Sequence, residues 1–361
     1  MNLLYISHLC ESVASGLNFS VPAGIAAQCK YDDVLWVDIS NAQWESWKKV
    51  PAYHNIKEFG KLDLNLLPKP FEKPDCVVFE GFYELDDVRF ARKLQRKKIP
   101  YIIIPRGSLT YSAMHNHSRI KKEIAHLFFF DPYIKNSLAL QYLTDKEKED
   151  SAYRFSHNSF VIPNGFAKQD VVKESFSQNE IRAIFIGRLD MYHKGLDMLL
   201  NVIEKNFCIL KDSGFILTLY GPESYDYRII KNRLESTRLH EIISLGGSIA
   251  GEEKKNAILK SDLFVMPSRF EGHPMGLIEA LANGLPALVT RGCNMLDEIL
   301  SSNAGWVCET SESDLEKAIL IMIKEKNLLS EKGKNARILS EQYDWDVLAN
   351  KFHNKLKELL N

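Results

Sequence analysis

Two short segments in the second half of the chain concentrate residue types suited to holding an anion and a polyol. The first is Phe185-Ile186-Gly187-Arg188-Leu189-Asp190-Met191-Tyr192-His193-Lys194-Gly195, in which a β-branched run ends at Gly187 and a helical pattern opens after Gly195. Arg188 and Lys194 thus share one loop at the carboxyl end of a predicted strand. Two cations beside a helix N-terminus form a diphosphate site that needs no metal. Solvated loop cations have the same spelling, so this pair alone decides nothing. The second segment runs from Ser268 to Ala280, after the apolar run Asp262-Leu263-Phe264-Val265-Met266. Glu271 precedes the helix and Glu279 lies within it, eight residues on and a little over two turns away. Carboxylates accept hydrogen bonds from sugar hydroxyls, while free N–H groups near Met275 and Gly276 can meet a phosphate.

These loops need a scaffold, and the rest of the chain supplies its pattern. At 361 residues the length calls for two domains. Apolar runs at 3–7, 34–39, 76–80, 101–104 and 138–143 alternate with helical patterns such as 85–98. The character changes at 157–182, around Pro163-Asn164-Gly165, which reads as the joint. Alternation then restarts, with strands at 183–187, 215–220, 242–246, 262–266 and 286–290 and helices at 195–211, 225–238, 252–260 and 275–283. The expected fold class is α/β, with two doubly wound parallel sheets facing a cleft. The expected domains are 1–160 and 161–344, with a helix at 345–361 that places Leu348, Phe352, Leu356 and Leu359 at roughly helical spacing and returns to the first domain.

Composition removes several function classes. Lys+Arg 46 against Asp+Glu 47 gives a net charge of -1, which argues against a dedicated nucleic-acid partner. The six cysteines contain no C-x-x-C pair, so buried reduced thiols in a cytoplasmic protein are expected. No apolar stretch reaches the ~20 residues needed to span a bilayer. No G-x-G-x-x-G opens either half, which disfavours a dinucleotide-dependent dehydrogenase.

Taken together, Gly187-Arg188, Lys194-Gly195, Pro267-Ser268, Glu271-Gly272, Glu279-Ala280 and Gly284-Leu285-Pro286 resemble the family 4 retaining glycosyltransferases of the GT-B fold. Leu143-Thr144 with Glu147, and Pro163-Asn164-Gly165, resemble that family's linker region. The resemblance implies two Rossmann-like domains, a nucleotide-diphosphate sugar as donor and no cofactor or metal. Residue by residue, it implies that Arg188 and Lys194, after Gly187, clamp the diphosphate. Glu279 would take the ribose hydroxyls and Glu271 those of the donor sugar, with amides of Gly272 and His273 nearby. Amides of Met275 and Gly276 would meet phosphate. Gly16 would let the backbone approach the donor, although an ordinary turn glycine reads the same. Many members carry His-Gly after the strand at 101–104, whereas this chain has Arg106-Gly107. Arg106 cannot be a general base; it either steadies the departing diphosphate or anchors its own loop.

The family's first domain usually binds the acceptor, often a lipid-linked glycan. Here, from Val88 to Lys122, ten bases stand without one acid, and Leu127-Phe128-Phe129-Phe130 follows. The other 36 bases and 47 acids sum to -11, so the overall balance is a cancellation. A basic, partly apolar face at 88–130 suits an anionic membrane surface or a phosphorylated lipid carrier; a solvated helix face over buried Phe residues reads equally well. His115 and His117 lack carboxylate partners for a metal. The expected activity is a sugar transferase of lipopolysaccharide, capsule or exopolysaccharide assembly, cytoplasmic or peripheral on the membrane's inner face. A nucleotide-sugar epimerase of related fold and a non-catalytic nucleotide-sugar-binding protein are the alternatives.

Overall fold

The computed structural model describes the chain except for residues 11–15, 43, 116–122, 153, 156 and 178. It comprises two units, one formed by Met1–Gly165 with Trp345–Asn361 and the other by Phe166–Asp344. Each is a parallel sheet with helices on both faces.

The first unit contains β1 (Asn2–Ser7), β2 (Asp33–Asp38), β3 (Tyr53–Asn55), β4 (Cys76–Glu80), β5 (Tyr101–Ile104), β6 (Ala139–Tyr142) and β7 (Ser159–Val161), in the order β3-β2-β1-β4-β5-β6-β7. Side chains of a strand point alternately to opposite faces. Leu4, Ile6, Val77 and Phe79 therefore share one core with Val88, Ala91 and Leu94 of the helix Leu85–Lys97. Leu3, Tyr5, Val78 and Ile102 share the other with Val21 and Ile25 of the helix Leu17–Gln28 and with Leu348, Phe352 and Leu356 of the last helix. That helix, Trp345–Leu360, is tied down by Lys30–Asp346 at 2.6 Å and His353–Asp32 at 2.9 Å. The first unit also keeps residues 161–165, assigned above to the second domain. Ile162 is buried in its core and Asn164 accepts a hydrogen bond from Arg106, so the chain leaves the unit only after Gly165.

The second unit contains β8 (Ile181–Ile186), β9 (Phe215–Tyr220), β10 (Ile243–Gly247), β11 (Leu263–Met266), β12 (Ala287–Thr290) and β13 (Gly305–Cys308), in the order β10-β9-β8-β11-β12-β13. Ala183, Phe185, Leu217 and Val265 pack on the helices Leu196–Lys205 and Glu312–Lys324, while Ile184, Phe264 and Met266 pack on Met275–Ala282 and Leu329–Ser340. The helix expected over 195–211 is two, Leu196–Lys205 and Phe207–Asp212. Asn206 breaks it by turning its side chain back to the Val202 carbonyl and across to Glu316. The units divide at Gly165/Phe166, within the joint expected at 157–182, and Lys173 beyond it donates its amide to the Asn283 carbonyl while its ammonium lies 3.1 Å from the buried Asp262.

Both sheets have a point where the strand order reverses, between β1 and β4 in the first and between β8 and β11 in the second. Loops leaving the carboxyl ends of such strands diverge and open a crevice where ligands bind in open α/β sheets.

Three cysteines, Cys76, Cys293 and Cys308, are buried, and burial pushes their thiols up to about 12. Cys10 and Cys208 are exposed, against the expectation of buried thiols, and Cys29 is partly covered.

Candidate functional site

The loop after β8 and the loop after β11 meet at the second unit's reversal point. Gly187 donates its amide to the Tyr220 carbonyl at 3.0 Å as β8 ends. At Gly195, φ is +63° and an added Cβ would stand 1.9 Å from the Pro267 carbonyl oxygen. Only glycine allows so close an approach in that conformation, and the approach sets Lys194 beside the second loop. Its ammonium lies 2.6 Å from Glu271 Oε1, and the Ser268 hydroxyl donates to the same oxygen, also at 2.6 Å. Both side chains of the ion pair are mostly buried, Lys194 being 18% and Glu271 10% exposed.

Neighbouring groups brace this cluster. Arg269 pairs through two nitrogens with Asp197 at 2.6 and 2.8 Å and lies over the Tyr192 ring, and its amide donates to the His193 carbonyl at 2.8 Å. From the turn after β12, the Gly292 carbonyl accepts the Glu271 amide at 2.9 Å, and the Asn294 side chain donates to the Glu271 carbonyl. Arg188, in contrast, is 63% exposed and 3.5 Å from Asp190.

Glu279 sits one turn inside the helix Met275–Ala282, paired with Lys254 of the helix Gly251–Lys260. Burial raises its carboxyl pKa, and the nearby Lys254 charge offsets part of that rise. At the helix start, the Met275 amide donates to the His273 carbonyl at 3.0 Å, so that donor is already engaged in the turn. A Cβ on Gly276 would lie 3.3 Å from the Ile186 carbonyl, which places this helix start against the end of β8. Gly272 has open space where its Cβ would stand, and the His273 ring lies 5.9 Å from that of Tyr343. The second unit therefore gathers Gly187, Lys194, Glu271 and Gly276 at one place, with Arg188 on its exposed side. Ser268 and Lys254 were not assigned roles by sequence reading. Ser268 stands in the recognised segment, but nothing marks Lys254 within Glu252-Glu253-Lys254-Lys255.

The first unit holds two further residues singled out above. Arg106 has φ +51° and a side chain only 10% exposed, turned inward to Glu80 at 2.7 Å, Asn164 at 3.1 Å and Ser20 at 3.4 Å. Next to it the Gly107 amide donates to Glu147 at 2.5 Å, and Leu143 donates to the other oxygen of that carboxylate at 2.8 Å. Burial raises the Glu147 pKa against these bonds and the Arg106 charge. The guanidinium thus ties its loop to Glu80 and Asn164. Gly16 has φ −59° and open space at its Cβ position, and its carbonyl accepts the amides of Phe19 and Ser20 as the helix Leu17–Gln28 begins.

Within the stretch 88–130, the helix Leu85–Lys97 carries Arg89, Arg92, Lys93, Arg96 and Lys97. Asp86 and Asp63 pair with Arg89 and Lys93, so acids from outside the stretch offset part of its charge. Residues 123–135 are helical, with a wide turn at His126–Phe130, and expose Ile124, Leu127, Phe128 and Phe129. Arg92 donates to the Phe128 carbonyl at 3.3 Å and lies 5.7 Å from the Phe129 ring centre. Arg119, Lys121, Lys122 and His117 lie outside the described residues, as does the His115 side chain. Among the described residues no three His, Cys, Asp or Glu side chains gather as a metal site, and no helix is long and apolar enough to cross a membrane.

Residues 167–339 match the family model "Glycosyl transferases group 1". A human phosphatidylinositol N-acetylglucosaminyltransferase subunit is 29% identical over 180 residues, covering 48% of this chain and 36% of that protein. A solved sucrose-phosphate synthase from Thermosynechococcus elongatus superposes with a TM-score of 0.72 at 15% identity, covering 99% of this chain and 98% of its own. Anabaena HepE in complex with UDP superposes with a TM-score of 0.71 at 14% identity, covering 99% of this chain and all of its own. The chain spans 36%, 65% and 42% of the length of the first three curated relatives.

Proposed function

We propose that the chain, whose residues 167–339 match the glycosyl transferases group 1 model, transfers a sugar from a nucleotide-diphosphate sugar to a hydroxyl of a glycan or lipid-linked acceptor. The observation that carries this reading is the cluster of Lys194, Glu271 and Ser268 at the second unit's reversal point. Cleaving a glycosyl diphosphate moves negative charge onto the leaving diphosphate, and a positioned ammonium stabilises that charge most in the transition state. Lys194 is such a group. A donor entering here exchanges the Glu271 carboxylate for its own phosphate at Lys194, which frees Glu271 to hold a hydroxyl of the transferred sugar. Arg188, exposed in the same loop, supplies the second cation, and Glu279 holds the ribose. With these cations on the diphosphate we read the chemistry as metal-independent and the anomeric configuration as retained. The UDP bound in the Anabaena neighbour supports a uridine donor, and the lipid in the human relative's name supports a lipid-linked acceptor.

The exposed Ile124, Leu127, Phe128 and Phe129 beside the cationic helix support peripheral contact with an anionic membrane on its cytoplasmic face. Lipopolysaccharide, capsule or exopolysaccharide assembly is the setting in which such an enzyme meets its acceptor. The test is a thermal-shift screen over UDP, GDP and ADP, followed by release of sugar from the matching nucleotide sugars with and without chelator. A nucleotide diphosphate at 100 times its Kd stabilises by about 2.7 kcal/mol. No shift with any of the three overturns the reading.

A further inference from the structure

The first unit reverses its strand order between β1 and β4, and polar groups stand on both sides of that point. His8 follows β1 directly, while Glu84 and Asp87 lie at and just inside the start of the helix that follows β4. His8 Nε2 is 2.9 Å from Asp87 Oδ1, and its other nitrogen, Nδ1, is 3.9 Å from Glu84 Oε2. Asp87 is fully buried, and its second oxygen, Oδ2, has no partner among the described residues. Burying a carboxylate with one oxygen unsatisfied opposes folding, so packing alone gives no reason to keep it there. What Asp87 does is fix the imidazole ring and direct Nδ1 toward Glu84. That side is the open one, since Glu84 is 47% exposed and His8 18%.

The 3.9 Å separation is too long for a hydrogen bond between Nδ1 and the carboxylate. Two atoms 3.9 Å apart can both be met by one oxygen at about 2.8 Å from each. A hydroxyl fits both partners at once, because it donates to the carboxylate while accepting from an imidazolium N–H. A phosphate oxygen cannot donate and would face the Glu84 charge. Burial opposes a charge on His8, but the hydrogen bond and charge of Asp87, with Glu84 and Asp38, raise its pKa toward the form that carries both N–H groups, while burial raises the pKa of Asp87 as well.

We propose that His8 and Glu84, with Asp87 as the positioning residue, form a hydroxyl-binding site at the reversal point of the first unit, which takes a sugar hydroxyl of the acceptor. The site deepens the transferase reading and rests on it for the identity of its ligand. Its chemistry is recognition of a polyol, and no bond changes there.

The test uses the full chain labelled with 13C-histidine, in wild type, H8Q, E84Q and D87N. Methyl glycosides of glucose, galactose, mannose and N-acetylglucosamine are titrated while the His8 C2–H resonance, assigned by its loss in H8Q, is followed. At least one glycoside is expected to move that resonance, with a half-saturation concentration about tenfold higher in E84Q, as loss of one charge-assisted hydrogen bond gives. In D87N the His8 titration midpoint is expected to fall, which a merely space-filling Asp87 would not cause. A resonance that no glycoside moves, or one that moves equally in E84Q, overturns the proposal. Thermal shifts by nucleotide diphosphates report on the second unit, so their loss in wild type counts against the donor reading and leaves the glycoside result to stand for itself.

Discussion

Replacing Lys194 by alanine separates what the ammonium does for the fold from what it does for the ligand. Lys194 lies 2.6 Å from Glu271 and the pair is mostly buried. Removing it leaves Glu271 with the Ser268 hydroxyl and a carboxylate that has lost its counter-charge. An uncompensated, largely buried charge costs about 1–3 kcal/mol. The second unit spans residues 166–344, a size for which 1 kcal/mol corresponds to about 2–4 °C in Tm. The expected fall for Lys194→Ala is therefore about 2–12 °C. Glu271→Gln in the same background neutralises the orphaned charge, so the double variant should recover part of that loss, with a coupling of about 1–2 kcal/mol. Catalysis should respond differently. Loss of a positioned charge on the leaving diphosphate costs about 3 kcal/mol, on the order of a hundredfold in kcat/KM, and Glu271→Gln cannot restore it. The four proteins are compared by denaturant unfolding and by release of sugar from the nucleotide sugar that gives the largest thermal shift. A kcat/KM for Lys194→Ala within threefold of wild type would refute the role of Lys194. So would a double variant that regains activity in step with stability.

Gly195→Ala should destabilise the second unit by at least about 2 kcal/mol, since φ is +63° and the new Cβ meets the Pro267 carbonyl; thermal unfolding measures it, and an unchanged Tm would show that the loops do not need this approach. Glu279→Gln, which removes the charge but not the shape, should weaken nucleotide-diphosphate binding about tenfold by calorimetry, and unaltered binding removes Glu279 from the ribose contact. His8 contributes a pH-dependent term to stability. Its folded pKa is raised by Asp87, Glu84 and Asp38 against burial, so its contribution is complete below the unfolded value near 6.5 and is lost as pH rises through the folded value. The Tm advantage of wild type over H8Q should accordingly shrink as pH is taken upward from about 6, and an advantage that grows instead contradicts the pairing. Leu127→Asp with Phe128→Asp should abolish co-sedimentation with phosphatidylglycerol-containing vesicles while leaving sugar release unchanged, and undiminished sedimentation places membrane contact elsewhere.

Sequence reading succeeded where one physical signal dominates. Parallel strands covered on both faces read as unbroken apolar runs, which is why 76–80 and 101–104 are strands at those positions. The three-residue strands Tyr53–Asn55 and Ser159–Val161 have no run long enough to register, and Gly305–Cys308, four residues long and only alternately buried, lacks an unbroken apolar run. The segments proposed to hold the donor were legible because Gly187, Lys194, Glu271 and Glu279 fall in two short stretches. The inward turn of Arg106 was not, because it depends on Glu80, 26 residues earlier at the end of another strand. Nor was the His8–Asp87 pair, whose members are 79 residues apart and meet only once β4 is laid beside β1.

That last juxtaposition follows from the same topology as the Lys194–Glu271 pair, and the chemistry of each pair suits a different ligand. At the second reversal point a flexible ammonium is held by a carboxylate that already shares its oxygen with Ser268. Such a cation exchanges one anion for another without rebuilding the loop, which suits a diphosphate that arrives and departs in each cycle. At the first, the partner of the imidazole is buried in the helix start and does not move aside. A ring fixed in that way offers one directed nitrogen and, 3.9 Å from it, one carboxylate. It discriminates by geometry more than by charge, which suits a neutral hydroxyl that must be placed once, in one orientation, before transfer.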